Sequence, residues 1–423
     1  WSALGLRRAP QQLTLFNPLS VPRTDLVCLE EPTGMRSVQH GGQALPAQVV
    51  EEEGERFLCF MCPRLEGFGF AALTLHKDPA RVSGPEARAT AAGLESPFYS
   101  LEVDTATGCV GRLRHHPTGW ELPLHAGGLA RTLYFDGTEH TLAEVTTQVL
   151  EAGPVLARLA IAGRAAGIAV ETRVTLYAAL DQVDFDIRVH KPRVAVLERL
   201  CHRFPVVVPG AVLRVETTGA VMRPAFQPSG DLLPGANTGR VAVQGFVDAT
   251  PPGGPGVTIA PLDAFLLRTD LDPLTFEALG NDQNYREVTR NQHGVSRFRF
   301  RYALRVHAGD YSGAEAFAWS RRAASPLLAA PGSLPAGLTP HAPRIPSQRA
   351  IALCLKPAEA GGCVVRLQEV AGQMGPLRVG VRGFGRAVRT DLLERPQEEL
   401  PVREGALSLP LKAQGFAALQ LIP

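Results

Sequence analysis

Along this chain, apolar and polar residues alternate far more often than they recur at every third or fourth place. Val183, Phe185, Ile187 and Val189 interleave with Asp184, Asp186, Arg188 and His190. That period of two predicts a strand with one buried and one wet face. Just before it, Ile168, Val170, Val174 and Leu176 share a face opposite Glu171 and Arg173, and residues 179–182 read as the turn between. The same alternation recurs over residues 99–103, 297–304 and 364–367. Strands at this density, separated by Gly, Pro and Asp turns, predict β-sandwiches. Only Gly313–Ala324 reads as a helix. With no run of strand–helix units, a complete barrel of the (β/α) type is excluded.

Composition sharpens this picture. The chain has 423 residues, enough for about three domains. Gly (42) and Pro (35) are frequent, as many short strands require. Residues 77–96 carry Ala, Gly, Pro and charge with no apolar period. Residues 325–346 hold Pro326, Pro331, Pro335, Pro340, Pro343 and Pro346, a density that resists both helix and central strand. The expected organisation is a small β domain at 1–93, a large one at 94–328, a Pro-rich linker at 329–344 and a C-terminal sandwich at 345–423.

Charge is nearly balanced, with 43 basic and 41 acidic residues, so a dedicated nucleic-acid binder is not expected. All but four of the cations are Arg, a bias that reads as coding preference. No apolar run reaches the ~18 residues of a transmembrane helix, so no membrane partner is expected. The first residue is Trp1, which reads as the start of an excised piece. Seven scattered cysteines do not form a disulfide framework and point to a reducing, cytoplasmic compartment.

Candidate chemistry is sparse. Cys59 and Cys62 form a lone C-x-x-C in an apolar, strand-like run. On a strand they face opposite sides, so they read as two ordinary, unliganded cysteines. His115 and His116 precede a Pro-Thr-Gly turn and read as solvated turn histidines. No H-x-H or H-E-x-x-H set offers a metal site, and no G-x-S-x-G or separated carboxylate pair offers a catalytic one. The stretch from Gly280 to Gly294 differs from the rest: it gathers Asn281, Asp282, Gln283, Asn284, Tyr285, Arg286 and Glu287 between two strands. Amide, carboxylate and aromatic groups are suited to gripping sugar hydroxyls, and they equally suit a plain polar surface loop.

Several motifs, taken in order, resemble one family. The opening Leu15-Phe16-Asn17-Pro18-Leu19-Ser20-Val21-Pro22-Arg23 is similar to the "FNPLSWPR" start of the β region of family 38 glycoside hydrolases, the α-mannosidases, with Val21 in place of Trp. Gly245-Phe246-Val247-Asp248 resembles that family's "gfVD", and Phe300-Arg301-Tyr302-Ala303-Leu304 with His307 and Gly309 its "fRYaL..H.G". Leu355-Lys356-Pro357-Ala358-Glu359 and Asp391-Leu392-Leu393-Glu394 resemble motifs of its C-terminal module. The resemblance implies an all-β fold, a galactose-mutarotase-like super-sandwich flanked by two smaller β-sandwich domains. It also implies a missing N-terminal catalytic domain as partner, with the zinc in that domain, no cofactor or catalytic residue in this chain, and a carbohydrate substrate. Residues 281–294 resemble the family's "TNyRa" element, which makes Asn284, Tyr285 and Arg286 the candidate substrate-binding residues. A freestanding mutarotase-like enzyme or carbohydrate-binding module is the alternative, and the former needs a His and a Glu converging in the super-sandwich cleft.

Overall fold

A computed structural model describes the chain except residues 1–8, 10, 32–33, 81, 126, 193–196, 272–273, 281–295, 335–340 and 360. The described residues are all-β apart from the helix Gly313–Ala324, and the strands stack as sandwiches. The chain divides into two compact units, Ser83–Tyr311 and the pair of segments Trp1–Val82 with Ser312–Pro423. The expected boundaries at 93/94 and 328/329 stand against 82/83 and 311/312 here, and the two small sandwiches belong to one unit.

In the central unit the alternating segments line up as antiparallel neighbours. Leu156–Ala165, Ile168–Tyr177, Val183–His190, Arg297–His307 and Gly256–Pro261 are consecutive strands of a nine-stranded sheet. Register places Val174, Phe185 and Tyr302 side by side, and all are buried. A six-stranded sheet, which includes Arg131–Phe135, Arg199–Arg203 and Thr275–Gly280, supplies Leu200, Phe204 and Phe276 to the same core. The opposite face of the nine-stranded sheet carries the charged positions.

One polar side chain sits in that core. His202 is wholly buried; its Nδ1 lies 2.8 Å from the Tyr302 hydroxyl, and its ring touches those of Phe300 and Tyr302. Its Nε2 has no hydrogen-bond partner among the described residues. Desolvation pushes its pKa down from 6.5 to about 3, so the imidazole is neutral in the folded chain near neutral pH.

In the other unit, the "FNPLSVPR" segment is a structural joint. Asn17 is buried; its Nδ2 donates to the carbonyls of Val21 and Glu66, both at 2.9 Å, and its Oδ1 accepts from Leu19 N–H. The side chain thus satisfies backbone groups of a Pro-interrupted turn that cannot pair in a sheet. Ser20 Oγ accepts from Ala352 N–H at 2.9 Å, which ties the turn to the C-terminal sandwich. Arg23, also buried, donates through Nη1 to the Ser325 carbonyl at 2.5 Å and pairs with Asp25 at 3.2 Å. The guanidinium therefore sits at the C-terminal end of the helix, where the backbone dipole favours a cation. At the other end, Ser312 Oγ caps the helix by accepting from Glu315 N–H.

Two expectations are corrected in this unit. The Pro-rich stretch begins with a strand, Leu328–Pro331, paired to Gln12–Phe16. It lies at the edge of its sheet, the position where a proline costs no ladder bond. Cys59 is not an ordinary thiol: it forms a disulfide with Cys28, directly opposite it in the register of Leu26–Glu30 with Glu55–Met61. The partner lies 31 residues away, beyond the reach of C-x-x-C spacing. Cys62 remains a buried thiol, its pKa pushed up to about 11 by desolvation.

Alkylation of the denatured, unreduced protein should therefore modify Cys62, Cys109, Cys201, Cys354 and Cys363 and leave Cys28 linked to Cys59 in the peptide map. Recovery of alkylated Cys28 and Cys59 from fully oxidised protein would remove the pairing. The His202 imidazole gives a pH signature. Between 6.5 and about 3 the unfolded chain binds a proton there that the folded chain does not. Its contribution thus erodes stability as pH falls through that window, by up to roughly 1.4 kcal/mol per pH unit. Urea unfolding at about pH 7 and about pH 5 should show a smaller acid-induced loss in His202→Phe than in the wild type. An equal loss would place the acid sensitivity elsewhere.

Candidate functional site

Asn284, Tyr285 and Arg286 lie in residues 281–295, outside the described residues. The strands that carry that segment are described. Thr275–Gly280 leads into it, with Gly280 in register with Arg199. Arg297–His307 leads out of it, and Lys191 N–H donates to the carbonyl of Ser296 at 2.8 Å. Both ends of the segment are therefore anchored to strands that flank residues 193–196, at one end of the sandwich.

That end is built on a buried ionic cluster. Lys191 Nζ lies 2.6 Å from Glu198 Oε1 and donates to the Pro192 carbonyl at 3.1 Å. The Tyr134 hydroxyl donates to Glu198 Oε2 at 2.9 Å. All three side chains are buried. Desolvation first, and the Glu198 carboxylate second, push the Tyr134 pKa well up, so the phenol keeps its proton and acts as a donor. With both carboxylate oxygens occupied, Glu198 has no role as an exposed base; the cluster holds the described ends of Val183–His190 and Arg199–Arg203. Removing one partner of such a pair leaves a buried charge uncompensated, at a cost of about 3–5 kcal/mol.

Beside it the surface is open. The ring of Phe135, next to Tyr134, is 39% exposed, and the Arg199 guanidinium lies over it at 5.1 Å from the centroid. Leu197 is also exposed, and Asp136 and His140 pair at 2.9 Å across the adjoining turn.

The histidines expected in a solvated turn separate. His116 is exposed, but His115 is buried at the end of Cys109–His115, with Nδ1 2.9 Å from Thr118 Oγ1 and Nε2 3.2 Å from Asp181. Alternation continues to the last residue of that strand, and Asp181, brought from 66 residues away, accounts for the burial. A second cluster, missed in the sequence, joins three strands. Buried Asp248 accepts from Thr250 at 2.6 Å and Thr258 at 2.8 Å, and lies 3.1 Å from His307 Nε2. The alternation of Asp248 with Thr250, and of Thr258 with neighbouring apolar residues, was the available signal. Neither His–carboxylate contact pairs His with Glu. Among the described residues, no three His, Cys, Asp or Glu side chains gather as a metal-ligand set.

Comparison with known proteins adds the following. Residues 350–414 match the glycosyl hydrolases family 38 C-terminal beta sandwich domain. No curated protein matches the sequence. Among solved structures, an alpha-mannosidase from Enterococcus faecalis V583 resembles the chain with a TM-score of 0.72 at 14% identity, over 98% of this chain and 56% of that one. A protein in the Glycosyl Hydrolase Family 38 from Enterococcus faecalis does so with a TM-score of 0.74 at 15% identity, over 98% and 58%. At such identities the likeness is one of fold. The chain spans little more than half the length of either structure. The match to the family 38 C-terminal beta sandwich domain is thus confined to residues 350–414, and what the chain shares with these two structures over nearly all its length is the fold.

Proposed function

We propose that the chain is the non-catalytic β region of an α-mannosidase-like glycoside hydrolase, completing and stabilising an N-terminal catalytic domain that lies outside it. The observation that carries this reading is the family 38 domain at residues 350–414 within a fold shared, over 98% of the chain, with an alpha-mannosidase. Zinc and the nucleophile belong, on this reading, to the catalytic domain. The β region contributes Asn284, Tyr285 and Arg286, which hold sugar hydroxyls from the loop end of the super-sandwich. Anchored strand ends at Lys191 and Arg199 favour that role, since binding loops work best on a rigid base. The alternative, a freestanding mutarotase-like protein, is less favoured because the His–carboxylate contacts His115–Asp181 and Asp248–His307 are engaged by their own neighbours.

The purified chain, given zinc and an aryl α-mannoside, is expected to show no turnover above the buffer blank. Turnover lost on heat denaturation would overturn the reading. In the enzyme encoded with its upstream portion, Asn284→Ala and Arg286→Ala are each expected to lower kcat/KM by about tenfold or more, the worth of a hydrogen bond to a substrate hydroxyl. Their melting temperatures should stay near that of the parent. Normal catalysis with a large loss of stability would make these residues structural.

A further inference from the structure

The disulfide Cys28–Cys59 lies on the face of its sheet that the main hydrophobic cluster of the unit does not use. Alternation along Leu26–Glu30 and Glu55–Met61 sends Val27, Leu58 and Phe60 to one face, where they join that cluster. Cys28 and Cys59, opposite each other in the register, take the other face. The two strands are also held without the bond. Their register runs from Leu26 opposite Met61 to Glu30 opposite Phe57. Backbone bonds continue past both ends: Cys62 N–H donates to the Asp25 carbonyl at 2.9 Å, and Glu31 N–H to the Arg56 carbonyl at 2.7 Å. Opening the disulfide therefore leaves the strand pairing and the cluster in place.

The two cysteines differ in access. Cys59 stands on the middle strand of a three-stranded sheet and is buried, whereas Cys28 is exposed on the edge strand Leu26–Glu30. The chain's own thiols are unsuited to exchange with them. Cys62 accepts from Asp25 N–H through Sγ at 3.3 Å, and desolvation pushes its pKa up to about 11. Cys109 and Cys201 are buried in the other unit, with pKa values pushed up to about 11 and about 12. Cys354 and Cys363 stand on strands of a separate sheet. Thiols kept protonated by burial are poor nucleophiles. Attack on the disulfide thus comes from an external thiolate, and access directs it to the Cys28 sulfur.

We propose that Cys28–Cys59 is a reversible thiol–disulfide switch, opened by an external dithiol that attacks the Cys28 sulfur. The first step forms a mixed disulfide at Cys28 and expels the Cys59 thiolate. The reductant's second thiolate then attacks its own sulfur in the mixed disulfide and expels the Cys28 thiolate. The dithiol leaves as a disulfide, two electrons have passed to the protein, and the two protons lost by the reductant end on Cys28 and Cys59. Oxidised, the bond pins the edge strand to its neighbour. Reduced, the strand keeps its ladder but opens more readily, because it is hydrogen-bonded on one side alone. The switch acts on the strand that follows the turn at residues 17–23, so it sets local order beside that joint.

The test uses the whole chain under native conditions, with alkylation by iodoacetamide and peptide mapping as the readout. Dithiothreitol should free Cys28 and Cys59 for alkylation at a rate proportional to its concentration, with the far-ultraviolet β signal unchanged. Oxidised glutathione should restore the bond. In Cys59→Ser, the Cys28 thiol should be alkylated about tenfold or more faster than the Cys59 thiol in Cys28→Ser. Amide hydrogen exchange should quicken on reduction at Leu26–Glu30 and stay unchanged at Phe70–His76. Four results would each overturn the proposal: reduction only once denaturant is added, a rate independent of dithiothreitol concentration, equal or reversed reactivity in the two single variants, or faster exchange across the whole unit.

Discussion

The pleat of the strand Arg297–His307 is the constraint on which the central unit depends. Hydrogen-bonded on both sides, to Val183–His190 and to Gly256–Pro261, it fixes the register of the sheet at its middle. Phe300, Tyr302 and Leu304 turn inward, and Arg297, Arg299 and Arg301 turn outward. A slip of one residue would bury guanidiniums and expose rings, so the register has no near competitor. Tyr302 then holds the position of His202 in the facing sheet, and Asp186 on the neighbouring strand gathers Arg188 and Arg299 on the other side.

Buried polar groups in this protein hold strands and turns at their ends. The Lys191–Glu198–Tyr134 cluster fixes the base of residues 281–295, and Asp248 joins three strands through Thr250, Thr258 and His307. Asn17 and Arg23 perform the same work in the other unit, for a turn rich in proline and for the end of the helix. Glu198, Asp248 and Asn17 are enclosed with partners for their polar atoms, and Arg23 is engaged through Nη1, which is what makes burial of these groups tolerable. The segments around Asn17–Arg23 and Asp248, which resemble family 38 motifs, are thus joints of a scaffold.

The sequence by itself determined the strands with clean alternation, the helix Gly313–Ala324 and the predominance of β structure. Those depend on period-2 alternation and on turn residues that are neighbours in the chain: Val183–His190 and Gly313–Ala324 begin and end where the pattern says they should. Tertiary structure alone decided which distant residues meet. Cys28 with Cys59, His115 with Asp181, Leu328–Pro331 with Gln12–Phe16, and Arg188 opposite Arg299 are all products of register between strands far apart in sequence. Alternation tells which face a side chain takes, but not which strand lies beside it, because that choice is made by the packing of whole sheets. The candidate substrate residues Asn284, Tyr285 and Arg286 were legible only through resemblance, since residues 281–294 carry no apolar periodicity to read. What the fold supplied for them was the base: two strand ends and a buried ion pair assembled from segments that no local pattern connects.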